Sequence, residues 1–596
     1  MEIHYKKNNN GTFFDNCKND TLLGARNVQN YIPIYDKFFN LSEQNYNNIN
    51  LNNLYIVNSL NEKLSDNKFN GKLLNTQSND TKDAKIFFKY CPLLDPIKYI
   101  TDKYDVSDNL LNLPQFGLSN SHPKMLDRNN SAYIDGFFTF LTSKLLHEHS
   151  FLHGVDFYGS FLAVKNNFMF NIGDDVDYLF NMEEFHKNNN KLFKLENAYH
   201  LDMLNYDTRN NKKRLVIGET NSKKDKQDNK LDADADADAD GKNDEIFLEL
   251  SNIHDLNKLD KVFITDSIVD DVDNKMDETN LIFQSKINSQ SKHTNSSGST
   301  CSSRSSNTEN SDDEGEEGDD DDNEEGDSSG EGSSEESCST ATEDEVFISI
   351  KEFPIEIISL ECCENTLDSY ITSGNIKDNE WDSIVLQILM ILITYQKMFN
   401  MTHNDLHTNN IMYNATDKKY LHYKINNKHY KVPTFGKIYK IIDYGRAIYT
   451  FKKEVMCSDS YHKDGDAATQ YNFGEYRDEN KPTIEPNYSF DLCRLSCSLF
   501  DFFIEDIDEV PKLRSPIKKI IIGWCLDDKD RNILYKNNGE ERYPDFKLYK
   551  MIARSVHKHV PIDVLQNPHF EKYAIAKKKI NKSAQIMNID DLPVYV

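Results

Sequence analysis

The 596-residue sequence predicts an α+β chain, with a small antiparallel-sheet part ahead of a larger, mostly helical part. Three observations carry that prediction. Short β-like runs cluster between residues 54 and 91. Apolar residues recur near a 3.6-residue period over 381–401, the signature of a helix with a buried face. Between these regions, residues 285–345 are Ser, Gly, Asp and Glu with almost no apolar content. Such a segment cannot bury enough surface to offset its ordering entropy, so a long, disordered acidic insert is expected.

Residues 1–50 form an Asn-rich, weakly patterned N-terminal segment. The small part is expected over 51–184. Its β-like runs are 55–57, 68–73 and 85–90. A helix is predicted from 133 to about 147, where Phe137, Phe138, Phe140, Leu141, Leu145 and Leu146 supply apolar positions, and a strand over 154–164. An insert over 185–345 then breaks the pattern. Runs 214–218 and 246–250 have strand character, but Lys/Asp-rich stretches and an Asp-Ala alternation over 232–240 separate them. Order is expected to return at 346. The run 354–361 reads as the last strand of the small part, with its linker ending at about 365. The larger part follows over 366–575, and 576–596 form a C-terminal tail. Within the larger part, the helix over 381–401 ends just before His403. Strand-like runs 420–425 and 429–432 flank Asn426-Asn427, a two-residue hairpin turn, and 437–442 is a third run. Residues 489–573 are mostly helical in pattern, with a Pro/Gly-containing loop over 537–544.

The net charge is −29, but 309–345 alone hold 19 Asp/Glu and no Lys/Arg. The remainder is only mildly acidic, so no basic footprint for nucleic acid exists. A charge run of this kind is a solvated linker in most chains, and a basic partner for it is the lesser reading. The ten cysteines include adjacent Cys362 and Cys363 but no C-x-x-C pair, so neither a zinc site nor a disulfide framework is indicated. No signal peptide opens the chain, which favours a reducing, cytoplasmic setting. The longest apolar stretch, 384–395, is interrupted by Gln387 and too short to span a bilayer, so no membrane partner is expected.

Two strings carry chemistry. Residues 403–410 read H-N-D-L-H-T-N-N, and 441–445 read I-I-D-Y-G. Together they give H-x-D-x-x-x-x-N followed by D-[aromatic]-G. Phosphoryl transfer needs few groups, rigidly placed. One carboxylate orients the attacking hydroxyl, while an amide and a second carboxylate hold magnesium on nucleotide phosphates. Asp405, Asn410 and Asp443 fit those roles in that order, with Asn410 and Asp443 as the metal pair.

On these strings the chain resembles the protein-kinase-like superfamily. More narrowly, it looks like the serine/threonine-kinase-like proteins of giant DNA viruses. That narrower likeness rests on FKYCPLLDP at 88–96, HGVDFYG at 153–159, RNILYK at 531–536 and RYPDFKLYK at 542–550. It covers about 50–180 and 346–575. It implies a bilobal protein-kinase-like fold, ATP and Mg2+ as cofactors and an unidentified protein substrate. Lys89 would contact the nucleotide phosphates, with Lys85 as its rival. Asp135, the acid of the helix that follows, would pair with that lysine. Leu360 would be the gatekeeper, 361–363 (including Glu361 and Cys363) would present backbone to adenine, and Asp491 would anchor the catalytic loop from below.

The chain departs from the family in four places. No G-x-G-x-x-G precedes Lys89, and Gly71 alone marks that hairpin. Asn404 replaces the usual arginine, so control by loop phosphorylation is not expected. His407 stands where most serine/threonine kinases have lysine, as in haspin-type kinases and in aminoglycoside or choline phosphotransferases. Asn410 and Asp443 lie 33 positions apart, a longer interval than usual, so the inserted hairpin must sit beside the site or behind the large lobe. His403 reads as structural; His407 either touches phosphate or caps the turn. Three function classes remain: a serine/threonine protein kinase with Asp405 as base, a small-molecule phosphotransferase, and a nucleotide-binding pseudokinase scaffold. The presence of all three catalytic positions favours the first.

Overall fold

The computed structural model describes residues 2–4, 10–104, 109–196, 346–374, 376–473, 484–544 and 546–596. The expectation of disorder over 285–345, and the candidate strands 214–218 and 246–250, lie outside the described residues. The described part is α+β, with an antiparallel sheet followed by a mostly helical region.

The sheet takes α1 (Gly11–Lys18) and β1 (Ala25–Gln29) from the N-terminal segment. It continues with β2 (Tyr55–Lys63), β3 (Lys68–Asn75) and β4 (Thr81–Pro92), then α2 (Ser131–His149), β5 (Phe157–Asn171), β6 (Phe193–Leu195) and β7 (Phe347–Glu361). Strand order is β1-β5-β7-β4-β3-β2, antiparallel throughout, with β6 also on β7. Both faces are covered. On one face Phe13 of α1 meets Phe88 and Phe161, with ring centroids 6.1 and 5.0 Å apart. On the other, Phe140 of α2 meets Phe157 at 5.8 Å. Residues 10–50 are therefore a working layer of the core, although eight weakly patterned residues gave little sign of α1. Asn130 caps α2 by accepting from the Ala132 N–H, and Ser150 ends it in a left-handed conformation.

The sheet runs past the expected boundary at 185. A helix spans Glu183–Asn188, and β6 pairs with the start of β7, which begins seven residues earlier than the run read from sequence.

The helical region begins after β8 (Asn365–Thr366). Helix α3 (Asp378–Phe399) is apolar on nearly every side because it is enclosed: 94% of its most apolar window is buried. It is the one helix among the described residues with the length and composition to cross a membrane. After it, β9 (Ile411–Ala415) and β12 (Lys437–Ile441) pair, with β8 beside them. Between them β10 (Tyr420–Ile425) and β11 (Lys428–Pro433) form a hairpin turning at Asn426 and Asn427, both at positive φ as the tight turn demands. The hairpin packs on α3, where the Ser383 hydroxyl donates to the Pro433 carbonyl. Buried His153 also bridges the Tyr423 hydroxyl and the Tyr439 carbonyl. A two-stranded ribbon follows, β13 (Ile448–Phe451) with β14 (Glu454–Cys457). Helices α4 (Phe490–Phe503), α5 (Pro516–Gly523) and α6 (Lys547–Ser555) enclose a second apolar cluster. The tail returns to the hairpin: β15 (Ala574–Ile575) pairs with β11, and β16 (Met587–Asn588) lies parallel to β10.

Candidate functional site

The turn after α3 is fixed from beneath. Asn400 ends the helix in a left-handed conformation, and Thr402 exchanges two backbone hydrogen bonds with Ile448. Asp491, buried in the first turn of α4, accepts from the His403 and Asn404 N–H groups at 3.0 and 2.9 Å. Burial pushes the Asp491 carboxyl up, and those donors with the nearby His403 oppose it. Asn404 has φ of 65°. Asparagine tolerates that left-handed conformation better than most side chains. Its amide accepts from the Tyr471 hydroxyl at 2.6 Å and donates to the Arg446 carbonyl at 3.2 Å. His403 joins the two motif strings through its ring, 3.0 Å from the Ile442 carbonyl.

On this platform Asp405 and Asp443 line one cleft; Asn410 is not among its lining residues, but its carbonyl accepts from the Ile442 N–H, next to Asp443. Asn410 Nδ2 donates to the Asp405 carbonyl at 2.9 Å and lies 3.1 Å from His407 Nε2. Desolvation lowers the His407 pKa to about 4 against the pull of Asp405, so the ring is neutral near pH 7 and its Nε2 can accept. With Nδ2 committed to these two acceptors, Asn410 Oδ1 is the amide atom left to face a ligand. Asp443 stands at φ of 67°, a strained position for a non-glycine residue, with its side chain 46% exposed.

Lys89 Nζ lies 2.6 Å from Asp135 Oδ2 and 2.8 Å from Asp443 Oδ1. Desolvation in the cleft would raise the Asp443 pKa; the Lys89 charge and hydrogen bond outweigh it and hold the carboxyl at about 2. Asp135 also accepts from the Tyr444 N–H through Oδ1 at 2.9 Å. One short side chain on α2 therefore grips both the lysine and the backbone of the D-Y-G turn. Lys85, on the same strand, is exposed and outside this cluster. A cleft of about 380 Å³ is lined by Lys89, Asp135, Asp405, Asp443 and Arg446, with Asn67 at its margin. Residues 64–67, between β2 and β3, contain no glycine; Asn67 ties that loop to Phe88 through main-chain and side-chain bonds. Gly71 lies within β3, where a Cβ would come 2.5 Å from the Ser59 carbonyl oxygen.

Leu360, Glu361 and Cys363 are not among the residues lining this cleft. Leu360 is buried between Phe87 and Phe157. Glu361 is ion-paired with buried Lys440 and accepts from the Asp156 N–H at 2.7 Å and from Asn414 Nδ2 at 2.6 Å. Burial pushes the Cys363 thiol up to about 12.

Three residues that the sequence reading did not single out belong to this neighbourhood. Arg446, directly after the D-Y-G turn, pairs with Asp466 at 2.9 Å and has Nη1 3.8 Å from Asp405 Oδ2. Tyr549 of α6 donates to Asp405 Oδ1 at 2.8 Å. Glu356 is 1% exposed on β7 behind the Lys89–Asp135 pair, and its Oε2 has no hydrogen-bond partner among the described residues. Burial raises its pKa well above the carboxylate range. A Cβ at Gly136 would collide with its Oε1, so glycine in α2 makes its room. Arg446 had a local signal, its place beside Asp443; Tyr549 and Glu356 had none.

No family model matches the chain. A 116-residue stretch is 34% identical to the serine/threonine-protein kinase haspin of Bos taurus, covering 20% of this chain and 14% of that protein. The chain thus spans about one seventh of the length of this curated relative, and the similarity is to a protein kinase over that stretch.

Proposed function

We propose that this protein is an ATP- and magnesium-dependent phosphotransferase with a bilobal protein-kinase-like fold, acting on serine or threonine hydroxyls of a protein. The observation that carries the reading is one cleft lined by Lys89, Asp135, Asp405 and Asp443, with Asn410 tied to the Asp405 carbonyl, contributed by four separate chain segments. The partial similarity to haspin points the same way.

The donor set fits the proposed cofactors. Among the described residues no group of three His, Cys, Asp or Glu side chains could hold a metal alone. Magnesium needs no such cage: it takes one or two protein oxygens together with substrate phosphates and water. The Asp443 carboxylate and Asn410 Oδ1 are hard oxygen donors of that kind, and these two residues would hold it. When bound, the ion would neutralise charge on the transferring phosphoryl group. Lys89, already held between two carboxylates, would exchange part of that pairing for nucleotide phosphate. Asp405 would orient the acceptor hydroxyl and take its proton.

The test is transfer of labelled phosphate from ATP to a panel of proteins and small hydroxyl compounds, with Asp405→Asn alongside. Transfer to Ser/Thr of a protein that falls by about two or more orders of magnitude in the variant supports the proposal. Full turnover by Asp405→Asn refutes the assignment of the base, and transfer only to small molecules refutes the protein substrate.

A further inference from the structure

The carboxylate of Asp405 is buried, and among the described residues it receives a single hydrogen bond, from Tyr549. We propose that Tyr549 is a positioning residue for Asp405: its hydroxyl locks Oδ1 and leaves Oδ2 to receive the acceptor hydroxyl. This deepens the kinase reading and rests on Asp405 being the base.

The geometry supports a fixed donor. The Tyr549 ring is 1% exposed and stacks on Phe546, with centroids 4.8 Å apart and planes at 6°. The Arg494 guanidinium packs close by, 5.0 Å from the ring centroid. Leu548 and Ile552, adjacent on α6, are buried in the second apolar cluster and hold the helix in place. A carboxylate with one oxygen bound to a rigid donor loses its freedom to turn about the Cβ–Cγ bond. The other oxygen then has a defined direction. Arg446 Nη1 is 3.8 Å from Oδ2, beyond hydrogen-bond distance, so Oδ2 is not capped. Arg446 is itself held by Asp466 and by the Phe546 ring at 5.1 Å. Phe546 thus backs both groups that flank the carboxylate.

The competing account is that a buried tyrosine hydroxyl needs an acceptor and Asp405 happens to supply one. The two accounts differ in turnover. Tyr549→Phe removes only the hydroxyl and fits the same space. Tyr535→Phe serves as control, because its hydroxyl bonds the Asp501 carboxylate at 2.9 Å and neither residue lines the cleft. Positioning predicts that Tyr549→Phe lowers kcat by about tenfold to a hundredfold, with KM for ATP and for the acceptor little changed. In an Asp405→Asn background the same substitution costs nothing further, because it acts only through that carboxylate. The control leaves kcat intact. An unchanged or raised kcat for Tyr549→Phe overturns the proposal, as does an equal loss in both backgrounds. Should no protein acceptor be found, hydrolysis of ATP, with water as the acceptor, is read in the wild type, the two single variants and the double variant. A loss from Tyr549→Phe confined to the wild-type background supports the proposal, and an unchanged rate or an equal loss in both backgrounds overturns it. Full turnover by Asp405→Asn would instead sink the kinase reading, whatever Tyr549 does.

Discussion

Replacing Glu356 with glutamine is expected to stabilise the protein, and to do so more as pH rises. The side chain is 1% exposed, with one oxygen unpaired among the described residues, and its folded pKa is raised well above the ordinary carboxylate value. In the unfolded chain it would titrate near ~4.3. Between that pH and its folded pKa, the folded state binds one more proton than the unfolded state. Stability from this group is therefore fully present below about pH 4 and is lost as pH rises, at ~1.4 kcal/mol per pH unit. Glutamine keeps the shape and carries no titration. The difference between variant and wild type should grow from about pH 5 towards pH 7, at up to that slope, until the folded pKa is passed. Urea unfolding read by tryptophan fluorescence is a suitable assay, since both tryptophans, Trp381 and Trp524, are buried. A difference that stays flat across that range would show that Glu356 ionises in the folded protein at an ordinary pH, and would refute the reasoning.

Two further outcomes test the site and its scaffold. Lys89→Met should weaken ATP binding by on the order of tenfold or more, since an ammonium placed between two carboxylates is lost, while Lys85→Met should leave it unchanged; calorimetry distinguishes them, and equal losses would mean the strand is misaligned. Ile589→Ala should cost roughly 2–5 kcal/mol in unfolding, because the side chain is fully buried and its backbone is bonded to Lys424 and Lys397; a loss under about half a kcal/mol would show that the tail is only loosely attached.

The parts of the fold legible in sequence were those with local causes. Helix α3 announced itself by its period, the hairpin by Asn426-Asn427, and the site by two strings whose spacing is chemical. Lys89 and Asp135 were named through the family resemblance, and they meet at 2.6 Å. The missed features depend on distant partners. Strand β1 reads Ala-Arg-Asn-Val-Gln, which has no strand pattern of its own; its place comes from pairing with β5, over a hundred residues later. The β6 pairing and the tail strands β15 and β16 are as short and as dependent on partners. Asp135 reaches the lysine with a short side chain. The Tyr444 N–H shows why a short acid suits the place, since Oδ1 and Oδ2 serve different elements. Tyr549 was quoted within a likeness string, but nothing local tied it to Asp405, 144 positions away.

The bond between the Glu196 N–H and the Phe347 carbonyl, beside the Leu195–Ile348 pair, brings the two ends of the interval 197–345 to one point on the sheet. Strand register is thus set without reference to how much chain lies between. Closing a longer loop is cheap, about 0.6 kcal/mol for each doubling of a flexible one. The position is therefore a port. A reporter domain whose own termini lie close together, or a protease site, should be accepted there with little effect on the cleft. The same tolerance would let the interval change length and composition over generations while the residues of the cleft stay fixed.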